Sequence, residues 1–200
     1  MTKTRLEAFS DGVIAILITI MVLELKVPTE GVSHEEIGNP ESLRGLGPIL
    51  LSYVLSFMFV GIYWANHHHL LHTVTRVTGG MLWANLHLLF WLSLVPFTTH
   101  WMGESHFEPW PTAAYGIVLV ACAMAYVILQ SLIIRTHGPE SPLKQAVGDD
   151  WKAKFSLVSY VAAIPIAIYG HPRIALGLFA LVAMIWLVPD RRIERQLHHE

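Results

Sequence analysis

Six apolar runs, separated by glycine and proline, constrain this chain more than any other feature. They are Ser10–Leu25, Leu46–His69, Met81–Met102, Thr112–Ile134, Phe155–Tyr169 and Ile174–Val188. Between them stand Pro28, Gly45 and Gly47, Gly79-Gly80, Pro109 and Pro111, Gly138-Pro139 and Gly170-His171-Pro172, residue types that stop helices and turn chains. A helix needs about 20 mostly apolar residues to cross a bilayer's hydrocarbon core, and the second, third and fourth runs meet that length comfortably. The fifth and sixth are shorter, and a short span tilts little or thins the bilayer. A water-soluble core does not account for this pattern. The chain is 54% hydrophobic and only 14% charged, against about 25% charged in soluble domains. The expected fold class is all-α: a polytopic membrane protein of six transmembrane helices, a single domain over residues 1–200. The last turn is so tight that spans five and six must be antiparallel neighbours.

Six spans return both termini to one side. With the N-terminus cytoplasmic, Lys3, Arg5, Arg76, Arg135, Lys144, Lys152, Lys154, Arg191, Arg192 and Arg195 lie inside, and only Lys26, Arg44 and Arg173 lie outside. Ten against three is the asymmetry of the positive-inside rule. The expected location is therefore the cell (inner) membrane, with both termini cytoplasmic and the Glu30–Glu41 and Glu104–Glu108 segments facing out. A removable signal peptide fits poorly. Glu7 and Asp11 spoil a basic start, and no small-x-small cleavage site follows Leu25. The formal net charge of −2 argues against a nucleic-acid partner. The single cysteine, Cys122, excludes an internal disulfide and a cysteine-built metal cage.

The first span reads FSDGVIAILITIMVLEL over residues 9–25. It is uncharged from Gly12 to Leu23, with Asp11 at its mouth, Glu24 at its far end and one hydroxyl, Thr19, inside. At 100° per residue, Gly12, Ile16, Thr19, Ile20 and Leu23 share a face. Asp11 lies about 140° from Ile16 and points toward neighbouring helices. Periodicity leaves two readings open for that face, a pore lining or an ordinary packing stripe of the kind common in membrane helices. Thr19 does not decide between them, since a membrane threonine commonly bonds back to the carbonyl four residues earlier, here Ala15.

The run Arg5-Leu6-Glu7-Ala8-Phe9-Ser10-Asp11 reads R-x-x-x-F-S-D at the start of the first span. It resembles the signature of the TMEM175 potassium-channel family in its six-span prokaryotic form. The T-x-x-x-L-E-L spacing of Thr19 to Leu25 fits as well. So do Y-W-x-N-H-H-H-L-x-H at Tyr63–His72 and R-V-x-G-x-x-L-W-x-N at Arg76–Asn85. The likeness covers essentially the whole chain, with most of its specificity in the N-terminal half. It implies a potassium-selective, leak-type channel, not an enzyme, without the T-V-G-Y-G filter, which this sequence also lacks. It implies a homotetramer in a lipid bilayer around a pore lined by the first helix, with potassium ions as permeant ligand and no cofactor. The family's constricting isoleucine falls on Ile16, its threonine layer on Thr19 and the next apolar ring on Leu23, while Gly12 and Ile20 are secondary pore-facing candidates. Four Ile16 side chains would form a dry collar that gates by dewetting.

Arg5, Phe9, Ser10 and Asp11 form the structural motif of that helix. Arg5 and Asp11 are six apart and on different faces, so they cannot pair along one helix, and each needs a partner elsewhere. His67, His68, His69 and His72, with Trp83 and Asn85, lie at the same membrane level. We expect them to clamp helix one to helices two and three. The histidine spacing also lets one helical face present two or three imidazoles. No carboxylate or cysteine lies nearby in sequence to close a metal site and H-E-x-x-H is absent, so no metal is expected and the cluster reads as a hydrogen-bond hub. A histidine-rich membrane metal- or haem-binding protein and a secondary transporter are the alternatives. The first needs facing histidines on different spans, the second inverted repeats and broken helices. Neither accounts for the F-S-D motif.

Overall fold

The computed structural model describes residues 1–25, 46–138, 140, 141, 143, 144 and 151–187. Every regular element among them is helical. Helix α1 runs Lys3–Ile20 and ends in a 3-10 turn, Met21–Glu24. It is followed by α2 (Gly47–His72), α3 (Gly79–Ser93), α4 (Val95–Glu104), α5 (Pro109–His137), α6 (Trp151–Ile168) and α7 (Pro172–Leu187). The expected Glu30–Glu41 segment lies outside the described residues. So do Lys26, Arg44, Val188, the basic residues Arg191, Arg192 and Arg195, and the side chain of Glu24.

Local chemistry explains the boundaries. Helix α1 begins seven residues before its apolar run, because Thr2 caps it by accepting the Arg5 backbone N–H at 3.4 Å. Thr78 caps α3 in the same way, accepting from the Met81 N–H at 3.3 Å. Helices α2, α4 and α5 carry proline in their first turn, where its missing N–H costs nothing. Gly138 ends α5 and Gly170 turns the chain between α6 and α7, at φ +86° and +95°, values open to glycine without strain. The third apolar run, expected as one span, is interrupted at Leu94 between α3 and α4. Pro96 is the cause, since its nitrogen cannot donate to the preceding turn.

Among the described residues, five helical stretches are long and apolar enough to cross a membrane: α1, α2, α3 with α4, α5 and α6. Helix α7 is apolar throughout the 16 residues described, up to Leu187, where the described residues end. Lys3 Nζ donates to the His72 carbonyl at 2.6 Å, and the Thr75 N–H donates to His137 Nε2 at 3.0 Å. These ties gather the start of α1 and the ends of α2 and α5 at one end of the bundle, with Lys3, Arg5, Arg76 and Arg135. The centre is aromatic: Tyr115 meets Phe59 and Phe179 edge-on, at 6.5 and 5.4 Å between ring centroids. Its hydroxyl is 2.9 Å from Ser56 Oγ, itself 2.6 Å from Thr99 Oγ1, so α2, α4 and α5 share a buried hydroxyl cluster. Helix α5 packs on α3, α4, α6 and α7, whereas α1 packs chiefly on α2 and α3 and lies at the rim.

Candidate pore helix and its polar clamp

Helix α1 has two faces. Leu6, Ser10, Ile14, Leu17 and Met21 recur at three- and four-residue spacing and are buried against the rest of the chain. Gly12, Ile16, Thr19, Ile20 and Leu23 look outward, Ile16 at 56% and Leu23 at 70% exposure. The face that the helical wheel groups is thus the one this chain leaves uncovered. A Cβ built on Gly12 meets nothing within 4 Å. Thr19 Oγ1 lies 3.1 Å from the Ala15 carbonyl and 2.9 Å from that of Ile16. Its proton is engaged by the backbone, so the hydroxyl presents lone pairs outward, an arrangement suited to a cation or its hydrating water. Leu23 departs from the wheel. In a 3-10 turn residues three apart eclipse, so Leu23 stacks in line with Ile20 rather than Thr19. Phe9 is exposed on the same side as Gly12 and takes no part in the contacts below.

On the other side, Ser10 Oγ donates to the Leu6 carbonyl at 2.9 Å and accepts from Asn85 Nδ2 at 2.9 Å. The Asn85 Oδ1 faces His67 Nε2 at 2.7 Å. Ser10, Asn85 and His67 are all fully buried. This chain joins α1 to α3 and α3 to α2, which is the connection the clamp requires. At the rim, Trp64 Nε1 donates to Asp11 Oδ1 at 3.0 Å, adding a direct tie between α2 and α1. Asp11 therefore points toward α2 and away from the Ile16 face.

The remaining candidates are arranged differently. Trp83 is 75% exposed and outside the clamp. Arg5 is exposed, and its guanidinium forms no hydrogen bond or ion pair with another described residue. His68, His69 and His72 are exposed; His68 lies against Trp64 and His69, at 6.2 and 5.8 Å between centroids. Only His67 of the cluster turns inward, because a helix spreads successive residues by 100°. Trp64 was absent from the sequence-based clamp. Its signal was present in the Y-W-x-N-H-H-H run: a buried or interfacial indole N–H seeks an acceptor, and Asp11 is an acceptor at the same level. The Ser56–Tyr115–Thr99 cluster was also missed, since its members are 43 and 59 residues apart in sequence.

A sequence profile of the family described as "Endosomal/lysosomal potassium channel TMEM175" matches residues 5–96. A protein of Chryseobacterium sp. (strain P1-3), named a potassium channel, is 55% identical over 197 residues, covering 98% of each chain. Another from Streptomyces collinus (strain DSM 40733 / Tue 365), also named a potassium channel, is 36% identical over 136 residues, 66% of this chain and 65% of its own. The crystal structure of a lysosomal potassium-selective channel TMEM175 homolog from Chamaesiphon minutus matches with a TM-score of 0.81. It is 27% identical, covering 94% of this chain and 97% of that one.

Proposed function

The chain belongs to the TMEM175 family of potassium channels, and on that premise we propose that four copies surround an axis lined by α1 and conduct potassium as a leak-type channel. The observation that carries this reading is the two-faced packing of α1. Its inner stripe is covered by α2 and α3, while Gly12, Ile16, Thr19 and Ile20 are left bare on a rim helix. One helix cannot enclose water, but a closed ring of identical copies can. Ile16 supplies the dry collar, Thr19 a ring of hydroxyl oxygens, and Ile20 with Leu23 the next apolar layer. No T-V-G-Y-G filter is needed, because a hydrophobic constriction can itself gate and discriminate by dewetting. The clamp of Ser10, Asn85 and His67, with Asp11 on Trp64, sets the rotation of α1 and hence which residues meet the axis. The basic end of the bundle faces the cytoplasm of the cell membrane, with both termini.

The test is liposome flux under a potassium gradient, repeated with sodium, on assembled protein at matched density. Ile16→Asn wets the collar, raises flux several-fold and weakens discrimination between the two ions. Val13→Asn is the control. Val13 is half-buried against the core and about 60° from Ile16 on the helix, so a polar group there lowers yield instead. An intact Ile16→Asn assembly with unchanged conductance and ion preference removes Ile16 from the axis.

A further inference from the structure

A cavity of about 370 Å³ opens between α2, α5, α6 and α7, on the side of the bundle away from α1. It extends from the exposed Lys144 and Lys154 to the fully buried ring of Phe59. Along α5 its wall runs from Ala123 to Ile134, twelve residues and about 16 Å of helix. The cavity is thus a narrow slot with a cationic mouth and an apolar floor.

Several polar groups in the wall are already satisfied. Asn66 Nδ2 donates to the Ile62 carbonyl at 2.8 Å. Ser156 Oγ donates to the Lys152 carbonyl and accepts from Trp186 Nε1, at 2.7 and 2.8 Å. Gln130 lines the slot at 7% exposure, and its carboxamide, like the Ser131, Tyr63 and Tyr160 hydroxyls, has no hydrogen-bond partner among the described residues. It lies one helical turn deeper than Ile134 at the mouth. Its amide is free to meet a group in the slot, a space large enough for a ligand.

We propose that the slot holds one acyl chain of an anionic phospholipid. The phosphate sits at Lys144, the ester carbonyl accepts from Gln130 one turn below, and the chain runs down to Phe59. The order of chemistries along the slot — cation, amide donor, hydrocarbon wall — is the order of groups in a glycerophospholipid. Basic pockets between membrane helices bind anionic headgroups in this way. Val127, which lines the slot, is also exposed on the flank of the bundle, so a chain can enter from the bilayer. A water-soluble anion would gain nothing from the apolar length below the lysines. Phe59, Tyr63 and Asn66 line the slot on α2, and Trp64 of the same turns holds α1 directly, His67 through Asn85. An occupied slot therefore steadies the helix on which the clamp depends.

The test reads binding rather than conduction, so it stands apart from the pore assignment. Purified protein is placed in nanodiscs of equimolar phosphatidylcholine and phosphatidylglycerol and re-extracted in mild detergent, and retained lipid is counted by mass spectrometry. One phosphatidylglycerol per chain is expected, in preference to phosphatidylcholine. Lys144→Gln lowers that preference about fivefold, the effect of one surface lysine. Ala123→Phe fills the slot and abolishes retention while the circular dichroism spectrum is kept. Where Ala123→Phe does not fold, Lys144→Gln alone decides. Equal retention of the two lipids, an unchanged preference in Lys144→Gln, or recovery of free fatty acid in place of phospholipid overturns the proposal.

Discussion

The orientation of Asn85 fixes the protons of both its neighbours. With its Nδ2 directed at Ser10 and its Oδ1 at His67, the His67 proton must sit on Nε2, and Ser10 must direct its own proton to the Leu6 carbonyl. Each donor in this buried chain has one acceptor, so removing the middle member strands two groups. Asn85→Ala is expected to cost about 2 kcal/mol, the penalty of buried unsatisfied partners. Trp64→Phe breaks only a rim contact and should cost under about 1 kcal/mol. Heating detergent-solubilised protein and following the loss of its monodisperse peak ranks the two, and a larger loss for Trp64→Phe would make the rim contact the true anchor of α1. All three members of the buried chain were legible as candidates in the sequence. Which of four clustered histidines would enter was not, because that depends on the rotation of α2 against α3. Arg5 and Trp83 show the limit of the same reasoning, since membrane level places a residue near a network without aiming it.

At the scale of elements, the six apolar runs predicted the helices, and the errors follow from local chemistry. Charged residues do not stop a helix, so α1 starts at Lys3 rather than Ser10. Proline at position 96 divides the third run. Close helix contacts were not legible, because one glycine in an apolar run looks like another. Gly103 on α4 is set directly on α2: a Cβ there would stand 2.9 Å from the Ile49 Cα, so backbone must move. Gly116 on α5 faces the Phe179 ring at 3.1 Å and Ile164 at 3.2 Å, side chains that can give by tenths of an ångström. Gly103→Ala should therefore destabilise by about 2 kcal/mol, within the usual range for overpacking, and Gly116→Ala by less. The same thermal assay distinguishes them. Equal effects would mean that α4 can slide along α2 and that the contact at Ile49 is not rigid.

The whole molecule poses the question of what covers α1. Helix α1 packs chiefly on α2 and α3 and bares an apolar face with one hydroxyl in it. A lipid-facing helix would tolerate that face equally well, so the assembly has to be tested directly. The buried Cys122 allows a clean design, since replacing it with serine leaves a chain without thiols. Ile16→Cys in that background puts one thiol per copy on the proposed axis. Ile117→Cys puts one on α5, an exposed position on a helix remote from α1. Around a four-fold axis the Ile16 positions are neighbours, while the Ile117 positions are separated by the width of the bundles. A short bifunctional thiol reagent should convert Ile16→Cys to covalent dimers and go no further, because each copy has a single thiol. Ile117→Cys should stay monomeric on a denaturing gel, and the unbridged protein should run in mild detergent with four times the protein mass of one chain. Bridging at Ile117 with none at Ile16 would turn α1 outward to the lipid and move the pore to another face of the bundle.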